Sequence, residues 1–154
     1  MACLVNDVAF SKEFKLIQGK CYAFDNGLRT YDATQVRCGQ IFGNNVSGKI
    51  FEPRTDQVLE DVLKNAKIAW SGDSPSNPQL WLGITDRNSE GNFAYSSDGQ
   101  SNELNWSYSN SFYSNSISIN CLLIHHSYVT SSNSHNMLHW DCSKTLAAIC
   151  EWGI

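Results

Sequence analysis

Trp81-Leu82-Gly83-Ile84 is a short apolar run in the middle of the chain, with Pro75, Asn77 and Pro78 before it and Asp86-Arg87-Asn88 after it. A run this short, closed at both ends by turn residues, suits a buried strand better than a helix. Gly83 offers a point where another backbone or a large ring can come close. Six cysteines flank the run, Cys3, Cys21 and Cys38 on one side and Cys121, Cys142 and Cys150 on the other. The run therefore reads as the central strand of a small disulfide-stapled domain.

Working outward from that strand, the 154 residues read as a single domain spanning 1–154. The chain is long enough to bury a core without relying on staples alone. Its formal net charge is -4 and it has no basic cluster. Nucleic acid and anionic membrane surfaces both call for Lys and Arg gathered on one face, so neither is expected as a partner. No apolar stretch approaches the ~20 residues of a membrane span, so no membrane insertion is expected. The cysteine count is even and no Cys-x-x-Cys pair occurs, which favours disulfides and an oxidising, extracellular compartment. Asn45-Val46-Ser47 and Asn105-Trp106-Ser107 are glycosylation sequons compatible with secretion. Met1-Ala2-Cys3 leads into no apolar signal core, as in a mature secreted form with an added initiator Met.

On the N-terminal side, Phe14-Lys15-Leu16-Ile17 and Cys21-Tyr22-Ala23-Phe24 flank Gln18-Gly19-Lys20 and predict a hairpin. Asp25-Asn26-Gly27 predicts a turn after it. Thr30 is a plausible N-cap, and Tyr31, Thr34, Cys38 and Ile41 at helical spacing predict a helix over Thr30 to Phe42, with Cys38 on the buried face. Lys49-Ile50-Phe51 reads as a short strand stopped by Pro53, and Glu52-Pro53-Arg54-Thr55 as a strand-to-helix junction and no more. Val58, Leu59, Val62, Leu63, Ala66 and Ala69 form the clearest helical stripe in the chain, capped by Thr55 or Asp56.

On the C-terminal side, Asn92 to Tyr95 reads as a strand and Ser96-Ser97-Asp98-Gly99 as a turn. From Gln100 to Asn120 the chain is mostly Ser, Asn and Tyr. That is too long for an ordinary connection, and long structured loops tend to carry function. Cys121 to His125 resumes strand character, Ser127 to Asn136 is a second polar loop, and Met137 to Cys142 and Leu146 to Trp152 close the domain.

This ordered set resembles the C-type lectin-like domain. The residues that carry the resemblance are Cys21-Tyr22-Ala23-Phe24, Cys38, Trp81-Leu82-Gly83-Ile84 at the family's Trp-Ile-Gly-Leu position, Asp98-Gly99, Asn105-Trp106, Cys121, Cys142 and Ile149-Cys150-Glu151. The resemblance covers nearly the whole chain. It implies an α+β fold with two helices, two small antiparallel sheets and a long loop region. It also implies the pairings Cys38–Cys150, Cys121–Cys142 and, in the long form, Cys3–Cys21.

The same resemblance raises a calcium-dependent sugar site. Calcium wants about 6–8 oxygen ligands, carboxylates among them. The family's Glu-Pro-Asn or Gln-Pro-Asp triplet would fall after Trp106, where the chain reads Ser107-Tyr108-Ser109-Asn110-Ser111-Phe112. The family's Glu before the Cys at 121 is replaced by Ile119, and its Trp-Asn-Asp falls on Met137-Leu138-His139, or with a gap on Trp140-Asp141. One carboxylate at most remains, so no cofactor is expected at the usual site. His125, His126, His135 and His139 raise a zinc or copper site. Adjacent His125 and His126 face opposite ways on a strand, and the cysteines are taken up in disulfides, so no such metal is expected.

No Ser/His/Asp set, phosphate loop or paired carboxylate signals catalysis. The expectation is an extracellular, non-enzymatic domain that binds a glycan or a protein through its long loops. Asn110, Asn115 and Asn136 would supply hydrogen bonds, Tyr113 and Trp140 packing, and His139 and Asp141 complete the candidate ligand-binding set. Trp106 and Trp140 also read as core under the long loop, since indoles are mostly buried. A homodimer stays open, as do two other readings: a calcium-dependent lectin with rearranged ligands, and a structural protein adsorbing to biomineral or ice.

Overall fold

The computed structural model describes residues 13–42, 47–69, 79–89, 91–101, 121–125 and 136–153. The predicted hairpin is present as β1 (Glu13–Ile17) and β2 (Lys20–Arg29). Gln18 and Gly19 both take positive φ, 48° and 80°, so a two-residue loop matched to strand twist joins them, and Lys20 already belongs to β2.

Asp25-Asn26-Gly27 does not end that strand. β2 continues to Arg29, with a register shift against the last strand between Asp25 and Arg29. Asp25 Oδ1 accepts the Gly27 amide at 2.9 Å and Oδ2 pairs with Arg29, so one carboxylate absorbs the extra residues as a bulge.

Helix α1 (Tyr31–Cys38) starts where predicted, with Thr30 Oγ1 accepting from the Ala33 amide at 3.2 Å. It stops at Cys38, short of the expected Phe42. The Gly39 amide bonds back to Gln35 and the chain then folds inward to bury Ile41 and Phe42 from a turn. β3 (Lys49–Ile50) leads to α2 (Asp56–Ala69), capped by Thr55, whose Oγ1 accepts from the Val58 amide at 3.1 Å. Leu59, Val62 and Leu63 of its predicted stripe are buried.

β4 (Gln79–Thr85) is the central strand and contains the apolar run. β5 (Ala94–Tyr95), β6 (Cys121–His125), β7 (Asn136–Trp140) and β8 (Leu146–Gly153) follow. The strand order is β1-β2-β8-β4-β6-β7, with β3 also on β8 and β5 also on β4. The two expected antiparallel sheets are thus sewn into one. The seam is a short parallel pairing of Leu80 with Ala147 and Trp81 with Ala148.

Both faces of β4 are covered, which is why it reads as an unbroken apolar run. Leu80, Leu82 and Ile84 join Tyr22, Phe51 and the buried side of α2 in one cluster. Trp81 joins Tyr31, Cys38, Ile41 and Phe42 in the other, and its Nε1–H donates to the Arg29 carbonyl at 3.0 Å. Cys38–Cys150 ties α1 to β8 across this second cluster, and Cys121–Cys142 ties the start of β6 to the turn between β7 and β8. Cys21 is disulfide-bonded as well. Its expected partner, Cys3, lies outside the described residues.

Candidate functional site

The site is built around Gly83. The pairing of β4 with β6 shifts register between Trp81 and Thr85. In that gap Gly83 directs its backbone bonds elsewhere: its N–H donates to Phe51 at 2.8 Å and its carbonyl accepts from Ser96 at 2.9 Å. A Cβ at this position would stand 2.8 Å from the Ile50 carbonyl oxygen and 2.7 Å from Glu52 Cγ. The close approach expected of Gly83 is therefore that of the β3–α2 junction on one side, with the segment after β5 bonded on the other.

Glu52 makes the same connection through its side chain. It is 2 % exposed. Oε2 accepts the Ser97 amide at 2.9 Å, and Oε1 accepts Ser97 Oγ at 2.6 Å and Arg54 at 2.8 Å, with Lys49 at 3.2 Å. Arg54 also reaches Asp98 at 3.0 Å and lies 3.7 Å over the Tyr95 ring, whose hydroxyl donates to the Pro53 carbonyl at 2.6 Å. The Gln100 amide, then Arg54, holds the Asp98 carboxyl below its usual range. The junction 52–55 is thus more than a connection: it anchors residues 95–98, the root from which the long loop departs.

On the opposite side of that root, the start of α1 and the β4–β5 hairpin enclose a cleft of about 210 Å3. Tyr31 lies at its floor, edge-on to Trp81 with centroids 5.7 Å apart. The Tyr31 hydroxyl shares a hydrogen bond with Ser96 Oγ at 2.5 Å and accepts one from Gln35 Nε2 at 3.3 Å. Burial pushes its pKa up, so it stays a neutral hydroxyl. At the mouth, Arg87 Nη1 donates to Asp32 Oδ1 at 2.7 Å while the guanidinium lies 5.2 Å over the Tyr31 ring. Thr85, Asn88 and Ala94 complete the walls.

Of the residues singled out from sequence, Asn110, Tyr113 and Asn115 lie outside the described residues, as do Trp106, Tyr108, Ile119, His126 and His135. Asn136 and His139 are placed by backbone alone, on β7 opposite His125 and Leu122 of β6. Trp140, the last residue of β7, is half-buried and packs against the Trp81 cluster beside Cys142. Asp141 Oδ1 accepts from the Ser143 amide at 2.9 Å and from Ser143 Oγ at 2.8 Å, and those bonds hold its carboxyl below its usual range. Asp141 Oδ1 thus braces the turn that leads into β8. Among the described residues no three metal-ligating side chains come together. Sequence reasoning missed Asp32, Arg87 and Glu52, since each acquires its role from a residue 45 or more positions away.

No family model and no curated protein matches the chain in sequence. Solved structures match over nearly its whole length. The C-type lectin CEL-I from Cucumaria echinata superposes with a TM-score of 0.70 at 18% identity, covering 91% of this chain and 94% of that one. The human scavenger receptor C-type lectin carbohydrate-recognition domain gives 0.68 at 16% identity, covering 93% and 98%. This is a C-type lectin-like fold. A herring type II antifreeze protein shares the C-type lectin-like fold with a TM-score of 0.65 at 14% identity, covering 93% of this chain and 98% of that one. Identities this low carry the architecture alone. In the C-type lectin-like frame the Glu52 anchor and the Cys121–Cys142 bridge stand at the two ends of residues 102–120. Among the described residues no helix is long and apolar enough to cross a membrane.

Proposed function

We propose that this chain is an extracellular, non-enzymatic recognition domain that binds a carbohydrate or protein ligand without the usual calcium-dependent sugar site. The observation that carries this reading is the fixed footing of the long loop. Its first end leaves from residues held by Glu52 and Gly83, and its last end enters Cys121, bridged to Cys142. Holding both ends of a long polar loop lowers the ordering cost of binding through it. Asn110, Tyr113, Asn115 and Asn136 would contact the ligand, with His139 and Trp140 from β7 beside them. Calcium independence draws on the donor set: Ile119 and the segment 107–112 bring no carboxylate, which leaves Asp141 as the one carboxylate near the usual positions.

The deciding experiment is a glycan array probed with and without EDTA, together with calcium titration calorimetry. Hits that persist in EDTA uphold the reading. Hits abolished by EDTA, with stoichiometric calcium affinity tighter than about millimolar, overturn its metal-free part and favour rearranged calcium ligands. An array without hits moves the ligand to the protein class.

A further inference from the structure

We propose that the cleft between the start of α1 and the β4–β5 hairpin is a second, calcium-free binding site, selective for a neutral polyol such as one pyranose ring of a glycan. The inference rests on the reading of the chain as a recognition domain and places a glycan contact outside the long loops.

Size comes first. The cleft has a volume of about 210 Å3. Drug-sized pockets run to about 300–1,000 Å3, so the cleft holds about one saturated ring, with the rest of a longer ligand lying outside it.

Charge comes next. The ionic groups of the cleft are Asp32 and Arg87, and they neutralise each other across a forked contact of 2.7 Å and 3.4 Å. An anion entering the mouth meets the Asp32 carboxylate, 75 % exposed, and a cation meets the Arg87 guanidinium, 37 % exposed. The remaining polar side chains are the neutral hydroxyls of Tyr31, Thr85, Ser96 and Tyr95, the last donating to the Pro53 carbonyl, and the amides of Gln35 and Asn88. The cleft therefore favours an uncharged ligand rich in hydrogen bonds.

Geometry narrows the class further. Tyr31 and Tyr95 are 2 % and 1 % exposed and each has a guanidinium over one face, Arg87 at 5.2 Å and Arg54 at 3.7 Å, so the cleft offers an aromatic ligand little ring surface to stack on. An acceptor-only carboxylate and a donor-only guanidinium stand side by side, each with hydrogen-bonding capacity left. A hydroxyl both donates and accepts, so one hydroxyl can donate a hydrogen bond to Asp32 while accepting one from Arg87, and a neighbouring hydroxyl can donate to and accept from the Asn88 amide. Vicinal hydroxyls on one ring meet this arrangement. The walls are already ordered. Gln35 is held between Tyr31 Oη and the Ile50 amide, and Ser96 between Tyr31 Oη and Gly83.

The test is a titration of the 15N-labelled chain, in EDTA, with methyl glycosides of glucose, mannose, galactose and N-acetylglucosamine, followed by amide shifts. Acetate and methylamine serve as charged controls. The expected result is saturable shifts confined to residues 31–35, 85–89 and 94–96 for at least one glycoside, with about millimolar affinity, and none for the controls. Arg87→Ala, Asp32→Ala and Asn88→Ala should each weaken binding about tenfold while the dispersion of the remaining spectrum stays unchanged. No saturable shift up to about 50 mM of any glycoside overturns the proposal, as does binding unaffected by Arg87→Ala. Cleft shifts that survive all three substitutions sink the cleft, while array hits that survive them leave the recognition reading standing. Cleft shifts with an array insensitive to loop substitutions do the reverse, removing the loops as the contact surface.

Discussion

Replacing Gly83 by Ala adds one methyl group at the most crowded point of the central strand. The new Cβ would sit 2.8 Å from the Ile50 carbonyl oxygen, a backbone atom that cannot swing aside, and 2.7 Å from Glu52 Cγ. Relief requires β4 and the β3–α2 junction to separate by several tenths of an ångström. That separation stretches the Gly83-to-Phe51 and Ser96-to-Gly83 bonds, now 2.8 Å and 2.9 Å. Overpacking of this kind costs about 1–3 kcal/mol, and weakening two backbone bonds adds about 1 kcal/mol. The expected loss is about 2–4 kcal/mol. For a domain of this length that lowers Tm by about 5–15 °C. Thermal unfolding followed by near-UV circular dichroism, disulfides intact, measures it. Gly153→Ala is the control: it makes the same chemical change in β8 of the same sheet, where the new Cβ meets only Lys20 Cε at 3.8 Å. That variant should stay within about 1 °C of the parent, since a surface change of this size alters stability little. A Gly83→Ala protein melting within about 2 °C of the parent would refute the claim that close backbone approach dictates glycine here.

Glu52→Ala removes the acceptor for both Ser97 donors and should cost about 2–3 kcal/mol, while Arg54 and Lys49, each partly exposed, turn to water; hydrogen exchange at the Ser97 amide should accelerate more than at β8 amides. Glu151 is 1 % exposed, with Lys20 Nζ at 3.8 Å from Oε2, within ion-pair reach and beyond a hydrogen bond. Burial pushes its pKa up, so the folded state holds the proton more tightly than the unfolded state. Its contribution is then fully present below the ordinary carboxylate pKa and is lost as pH rises through the raised value. Glu151→Gln, which keeps an acceptor for the Glu52 amide, should flatten the decline in Tm between mildly acid and neutral pH; an unchanged slope would count against it. Removing Cys38–Cys150, with a sequence separation of 112, should cost roughly 1.5 kcal/mol more than removing Cys121–Cys142, with a separation of 21, if chain entropy governs; denaturant melts of paired Cys→Ser variants give the comparison.

The scaffold was legible where one local signal sufficed. Trp81 to Ile84 is apolar throughout because both of its faces are covered, and the Val58-to-Leu63 stripe follows the turn of a helix that buries one side. The reading failed where one residue type serves two structures. Asp25-Asn26-Gly27 has turn chemistry, yet the Asp25 carboxylate spends it on a bulge inside β2. Ile41 keeps helical spacing from Cys38, yet it is buried from a turn beyond Gly39. The cysteine pairing came from resemblance alone, since spacing leaves the partners open. The site was the least legible part. Glu52 with Ser97, and Arg87 with Asp32, are contacts between distant segments, and composition around each residue carries no trace of its partner.

Those two contacts belong to one arrangement. Residues 95–98 form a ribbon with a charged anchor on one side and the polar cleft on the other. Ser97 is tied to Glu52, while Ser96 presents its hydroxyl to Tyr31 and its amide to Gly83. A cleft wall that also frames the root of a long loop cannot relax independently of that root. Rigid walls give a small ligand more of its gross interaction energy as affinity, because less is lost to ordering side chains. Weakening the Glu52 anchor should therefore loosen the cleft although Glu52 is not among the residues lining it. Glycoside binding at residues 31–35 would fall in Glu52→Ala even with Asp32 and Arg87 intact, and equal binding in that variant would show that the two faces of the ribbon act separately.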